Sequence, residues 1–250
     1  MSPASAAEAG AAVLSVRQLV VGYNDIAVVR GVDVDVPAAR LVTVVGPNGS
    51  GKSTLLKGIL GLARLLGGEV WFEGADVTGV PIQELARRGV GYVPQVDDVF
   101  PSLRVFENLE MGGYLLSARG RAERMEEVLE IFPALKRMLR RYVHTLSGGE
   151  QKMTAVGRAL MLSPRLLILD EPTAGLSELL TRAVLEEQAR ALADRGTAVL
   201  LVEQKASLAL ELADWAYVIV QGQIVRSAQA EVVRADPDMA EIFLGRRARV

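Results

Sequence analysis

The residues with the most chemical meaning in this sequence lie between Gly46 and Thr54. Gly46-Pro47-Asn48-Gly49-Ser50-Gly51-Lys52-Ser53-Thr54 fits the pattern G-x-x-x-x-G-K-[ST]. Glycines in such a loop let backbone amides converge on phosphate oxygens with no β-carbon in the way. A helix opening at the end of the loop adds the partial positive charge of its N-terminus. Lys52 can reach the β- and γ-phosphates of a nucleotide, and Ser53 can ligate a magnesium ion. The plain alternative is a glycine-rich turn that carries a lysine by chance. The setting argues against it, because the apolar run Leu41 to Val45 precedes the loop and a helical pattern follows from Ser53 to about Leu62.

A second cluster belongs with the first. Leu166 to Leu169 is an apolar strand that ends in Asp170 and Glu171, at the sheet edge where α/β proteins bind ligands. Asp170 is placed to hold magnesium, directly or through water, and Glu171 to orient and deprotonate an attacking water. An acidic pair at a strand end is often only solvated; downstream of a phosphate loop it gains a function. Together the two motifs imply a nucleotide triphosphatase. A third segment, Leu146-Ser147-Gly148-Gly149-Glu150-Gln151, reads by itself as a serine N-cap with glycines opening a helix. A kinase or GTPase is the competing reading, but the chain has no N-K-x-D guanine reader and such an enzyme leaves Ser147–Glu150 unexplained.

Composition narrows the chemistry further. No cysteine occurs in the 250 residues, which excludes a disulfide framework, a thiolate iron–sulfur cluster and a thiol nucleophile. The single histidine, His144, excludes a multi-histidine metal site. Lys plus Arg is 28 against 30 for Asp plus Glu, so a generally basic nucleic-acid surface is not indicated. Half the residues are hydrophobic. Apolar runs such as Val42 to Val45, Leu166 to Leu169 and Ala198 to Val202 are nevertheless far short of the ~20 residues needed to cross a bilayer. They read as strands of a parallel sheet buried on both faces. The opening MSPASAAEAGAA has no basic region and no sustained apolar core, so it reads as a disordered tail over 1–12 rather than a signal peptide.

The elements that must position these residues follow from the hydrophobic periods. Val32, Val34 and Val36 alternate with Asp33 and Asp35, which predicts a half-buried antiparallel strand ended by Pro37. A strand pair is expected near Glu69 to Glu73 and a buried strand at Val90 to Val93. From Arg104 to Arg141 the period turns helical, with Val105, Leu109, Leu115, Val128, Leu129, Phe132, Leu135 and Leu139 as the apolar stripe. A helix then runs from the Ser147 segment through Met161. Strands and helices alternate after it: Leu166–Leu169, Leu179–Ala193, Ala198–Val202, Ser207–Ala213 and Tyr217–Val220. The resulting division is a nucleotide-binding α/β core over 13–95 and 155–250, with a helical lobe inserted over 96–154.

With the phosphate loop, the Ser147–Glu150 segment and the Asp170-Glu171 strand in this order, the sequence from Leu14 to Val225 resembles the ATP-binding cassette (ABC) ATPases. The resemblance implies a RecA-like parallel-sheet core, an N-terminal antiparallel β-subdomain and an inserted helical subdomain. It implies ATP and Mg2+ as the ligands. Tyr23 matches the aromatic residue that stacks on adenine, and Gln95 the glutamine that contacts magnesium and links the lobe to the sheet. Ser147, Gly148, Gly149 and Glu150 match the signature that covers the γ-phosphate of an ATP held by a second subunit. Two positions depart from the pattern. Gln204 stands where a histidine usually contacts the γ-phosphate, and Ser177 where an aspartate is usual in the loop that crosses to the partner site. A glutamine amide can donate a hydrogen bond to phosphate but cannot take up a proton. Both departures bear on how fast the chain hydrolyses ATP alone.

Val202-Glu203-Gln204, the Ala174-Gly175-Leu176 segment and the run Val99–Leu109 with Met111-Gly112-Gly113 narrow the resemblance to the ATP-binding subunits of branched-chain amino-acid importers. Arg104 and Gln95 differ from that group's frequent threonine and glutamate. The partners implied are a second ABC ATPase subunit, identical or not, polytopic membrane permease subunits and, indirectly, an extracytoplasmic substrate-binding protein; nucleic acid is not among them. Phe100, Leu103 and Phe106 are the expected permease contacts. The implied location is the cytoplasm, peripheral on the inner face of the membrane. Cassettes serving amides, urea or lipids, or a soluble assembly or repair ATPase, are the alternative.

Overall fold

A computed structural model of the chain describes residues 12–96 and 98–243. Its strands are β1 (Ala12–Tyr23), β2 (Ile26–Pro37), β3 (Leu41–Val45), β4 (Arg64–Phe72), β5 (Ala75–Asp76), β6 (Val90–Val93), β7 (Leu166–Asp170), β8 (Ala198–Glu203), β9 (Trp215–Val220) and β10 (Gln223–Gln229). The helices are α1 (Lys52–Ile59), α2 (Ile82–Arg87), α3 (Val105–Gly112), α4 (Ala118–Ile131), α5 (Pro133–Met138), α6 (Gly148–Leu160), α7 (Glu178–Val184), α8 (Ala191–Asp194), α9 (Ala206–Leu212), α10 (Ala230–Ala235) and α11 (Met239–Phe243). Of the expected N-terminal tail, residues 1–11 lie outside the described residues, and Ala12 already opens β1.

The strands form two sheets. An antiparallel sheet has the order β2-β1-β4-β5, and a six-stranded sheet the order β10-β9-β3-β8-β7-β6. Every pairing in the second sheet is parallel except β10 with β9. Its continuous apolar runs divide between two cores by residue parity. Leu41, Leu167, Leu169, Val199 and Leu201 join one cluster with the helical lobe, while Val42, Val44, Leu166, Ile168, Leu200 and Val202 join α1 and the antiparallel sheet in the other. Burial on both faces is what makes these runs unbroken.

The valine alternation in β2 pairs as expected, with Val32 opposite Leu19, Val34 opposite Val16 and Val36 opposite Leu14. Asp35 on the other face is also buried, because Arg17 Nη2 lies 2.7 Å from it and Ser15 Oγ donates to it at 2.9 Å. Several expectations about element ends need correction. The helix after the phosphate loop stops at Ile59, and β4 begins earlier than expected, at Arg64. Leu115 is exposed in the turn between α3 and α4 rather than on the buried stripe. The helix expected over 179–193 contains a π-helical stretch, Leu185–Arg190. The strand β10 has no apolar run and was not expected.

The β9–β10 turn fastens the two sheets to the phosphate loop. Gly222 N donates to Ser50 O at 2.8 Å, and Arg30 N of β2 donates to Gly222 O at 2.8 Å. A β-carbon at Gly222 would lie 1.8 Å from Val28 O, and the residue sits at φ +82. Gly222→Ala is therefore expected to cost about 1–3 kcal/mol of folding stability. Urea unfolding of the variant measures it; stability equal to that of the parent chain would count against this packing.

Candidate functional site

The phosphate loop runs from the end of β3 into α1, and its first glycine is required by space. A β-carbon on Gly46 would lie 2.2 Å from Ile219 O and 2.8 Å from Ser50 Oγ. The helix α1 starts at Lys52 with no capping side chain and no acid in its first turn, so nothing in the helix offsets its positive end. Lys52, almost fully buried, donates to Gly46 O at 3.0 Å and Pro47 O at 3.2 Å. Its ammonium is also 3.3 Å from Glu171 Oε1.

The two carboxylates after β7 occupy different environments. Asp170 is buried, and burial, followed by the charge of Glu171, pushes its carboxyl up to about 6 against the opposing effects of Lys52, Lys57 and the Ser53 hydroxyl. Its Oδ1 has no hydrogen-bond partner. Tyr92 on β6 is pushed up to about 12, by its own burial first and then by the Asp170 charge. A buried, unpartnered carboxylate oxygen beside a hydroxyl fits a hard divalent cation, which takes oxygen ligands and offsets the desolvation. Glu171 instead has partners on both oxygens: Lys52 at Oε1, and Gln95 Nε2, which donates to Oε2 at 3.0 Å. Its backbone is left-handed, at φ +43, and its N–H donates to Val202 O at 2.9 Å.

Gln95 is held in turn by α6. Lys152 Nζ donates to Gln95 O at 3.0 Å and to Asp98 Oδ2 at 2.6 Å, in a largely buried ion pair. Ser147 caps α6: Ser147 N donates to Glu150 Oε2 at 2.8 Å and Glu150 N to Ser147 Oγ at 3.4 Å, a capping box. A β-carbon on Gly148 would meet Leu176 at 2.9 Å, which sets this turn against the loop that follows Glu171. Gln204 is exposed at the end of β8, and its N–H donates to Glu203 Oε2 at 3.1 Å.

The structure thus brings Lys52, Ser53, Gln95, Asp170 and Glu171 together. Ser147–Glu150 makes no hydrogen bond to any of them among the described residues, and Tyr23 is exposed at the C-terminal end of β1, opposite Ile26. Sequence reasoning missed Lys152, Asp98, Gly222 and the buried Glu203. Burial pushes the Glu203 carboxyl up, while donors on Thr173, Lys205 and Gln204 oppose the shift. Only Lys152 left a signal, a lysine inside the apolar pattern of α6.

A phosphate loop entering a helix from a parallel strand, with two carboxylates at the end of a neighbouring strand, defines a P-loop nucleotide triphosphatase. The ABC transporter family model matches residues 29–174, more than half of the chain. The high-affinity branched-chain amino acid transport ATP-binding protein BraG of Pseudomonas aeruginosa is 40% identical over 225 residues, 89% of this chain and 95% of that protein. The probable branched-chain amino acid transport ATP-binding protein LivF of Archaeoglobus fulgidus is 37% identical over 90% of this chain and 95% of its own length. Among solved structures, the ADP conformation of the ATP-binding cassette MJ1267 superposes with a TM-score of 0.84 at 28% identity, covering 94% of this chain and 100% of that one. The chain belongs to the ABC transporter family and is its ATP-hydrolysing component.

The raised Asp170 carboxyl makes a prediction with a definite sign. The fold holds this proton more tightly than the unfolded chain does, so stability falls as pH rises from the ordinary 3.8 to about 6, and the cost persists above that. In the presence of a chelator, Asp170→Asn should raise the melting temperature at pH 8, with a smaller gain at pH 5. Thermal melts at the two pH values measure this; a variant less stable than its parent at pH 8 would refute the assignment.

Proposed function

We propose that this chain is the ATP-hydrolysing subunit of an importer of branched-chain or related amino acids. One observation carries the catalytic part: the Glu171 carboxylate is held between Lys52 and the Gln95 amide, beside the buried Asp170. The similarity to BraG and LivF, whose names specify branched-chain amino acid transport, supports the substrate class.

In this reading the amides of Gly46, Asn48, Gly49, Ser50 and Gly51, with Lys52, Ser53 and Thr54, bind the phosphates of ATP. Ser53, Asp170 and Gln95 hold Mg2+, which when bound draws charge from the phosphate oxygens. Glu171 takes the proton of the attacking water, and Gln95 and Lys52 fix which of its lone pairs faces that water. Gln204 donates an amide hydrogen bond to the γ-phosphate. Tyr23 stacks on adenine, and Ser147–Glu150 closes over the ATP of a second cassette subunit. The helical lobe over 96–154 is the part that answers to the membrane subunits, and the core over 13–95 and 155–250 the part that binds nucleotide.

No helix among the described residues is long and apolar enough to cross a membrane, so permease contact needs a surface. A groove of about 270 Å³ lined by Tyr92, Phe100, Met111, Tyr114 and Arg158 is suited to a short permease segment. Leu103 and Phe106 are not part of its lining. The chain then works at the cytoplasmic face of the membrane, with a binding protein on the opposite side.

Glu171→Gln preserves shape and removes the base, so ATP binding should persist, hydrolysis should stop and a nucleotide-bound dimer should accumulate. Size-exclusion chromatography with ATP and a phosphate-release assay check this; undiminished turnover would show that Glu171 is not the base. Purification of the tagged chain from membranes should bring down a polytopic membrane protein, and its vesicles should take up leucine, isoleucine or valine on ATP addition. Recovery of the chain with soluble assembly factors instead would favour the alternative.

A further inference from the structure

Three consecutive ties fasten the loop after β7 to the end of β8. Glu171 N donates to Val202 O at 2.9 Å. Thr173 N and Thr173 Oγ1 both donate to Glu203 Oε1, at 3.1 and 2.7 Å. Lys205 Nζ donates to Leu176 O at 2.9 Å and to Thr181 Oγ1 at 3.0 Å. The order is the same on both sides: residues 171, 173 and 176 meet 202, 203 and 205. The remaining oxygen of Glu203 accepts the N–H of Gln204, so one buried carboxylate holds both segments.

The cost of this arrangement points to its role. Glu203 is 1% exposed, and a buried acid is tolerated only when donors replace its water. Its donors come from Thr173, Gln204 and Lys205, the neighbourhoods of the carboxylate at Glu171 and the amide at Gln204. Glu171 itself sits at φ +43, a backbone region that a residue with a β-carbon keeps only when its surroundings impose it. Thr173 is fully buried, two residues on, and supplies that restraint through Glu203.

We propose that Glu203 and Lys205 are positioning residues for ATP hydrolysis. They clamp the Glu171–Leu176 loop to the segment that carries Gln204, so that the base and the phosphate-facing amide move as one body. The inference rests on the reading of Glu171 as the base.

The test uses the purified full-length chain, with E171Q as reference, and variants E203Q, T173V and K205M. Misplacing a catalytic group by about 1 Å costs on the order of 10²-fold, so E203Q should lower kcat by that order with KM for ATP little changed. T173V and K205M each remove one or two hydrogen bonds and should lower kcat roughly 2- to 10-fold. The E203Q/T173V double variant should be no slower than E203Q, because both act through one contact. Amide hydrogen exchange should quicken at residues 171–177 in E203Q and stay unchanged in β3 and β6. If E203Q does not fold, T173V and K205M decide: a loss in kcat at constant KM supports the clamp. Parent-like kcat in these variants while E171Q is inactive would overturn the clamp, as would faster exchange throughout the sheet. An active E171Q would instead remove the reading on which the clamp rests.

Discussion

A parallel sheet covered on both faces leaves its polar chemistry one place to go. Along β3, β7 and β8 successive side chains enter two different cores, so neither parity is available to a charge. The polar exception inside β3, Thr43, is fully buried and donates to Leu201 O at 3.1 Å. Charges and glycines therefore collect where the strands end. Because the strands are parallel, those ends lie on one edge: Gly46 after β3, Asp170 and Glu171 at the end of β7, and Glu203 and Gln204 at the end of β8. The antiparallel hairpin β9–β10 returns to the same edge and places Gly222 behind the phosphate loop.

Three acids at that edge differ by environment and not by type. Asp170 is buried beside a hydroxyl with one oxygen unpartnered, which raises its proton affinity and leaves it ready to exchange the proton for a cation. Glu171 has an ammonium on one oxygen and an amide on the other, so its charge is stabilised and its direction set. Glu203 is saturated by backbone and hydroxyl donors, so it has little capacity left for a substrate and acts on the loops around it. The division of roles proposed above, with metal, base and anchor on three adjacent carboxylates, is the one that solvation and donors favour.

What could be read from the sequence was what neighbours in the chain decide. The phosphate loop, the apolar strand ending in Asp170 and the Ser147–Glu150 cap are each set by a few consecutive residues. The two-sided burial of β3, β7 and β8 was equally legible, since a continuous apolar run has few other meanings. Contacts across long separations were not. Gln95 meets Glu171 over 76 positions, and Lys152 meets Asp98 over 54. Gln95 entered only through resemblance, and the Lys152 pair not at all. Asp35 looked solvent-facing because alternation records the pleat and not what lies over it; Arg17 and Ser15 cover it. Leu115 matched the helical period but fell in a turn, where the period has no meaning.

The single histidine sharpens the mechanism by where it lies. His144 Nδ1 is 2.9 Å from Pro101 O, and its ring stacks on Tyr142 in the turn before α6. It serves that turn and not the edge of the sheet. In the proposed mechanism the place beside the phosphate falls to Gln204, whose amide offers a hydrogen bond of fixed protonation. An imidazole at that place could share in proton transfer, but an amide can only orient. In the proposed mechanism proton acceptance then rests on Glu171, and the value of residue 204 depends on how rigidly it is held relative to that carboxylate. The flanking Glu203 and Lys205, gripping Thr173 and Leu176, supply that rigidity in the backbone next to the amide.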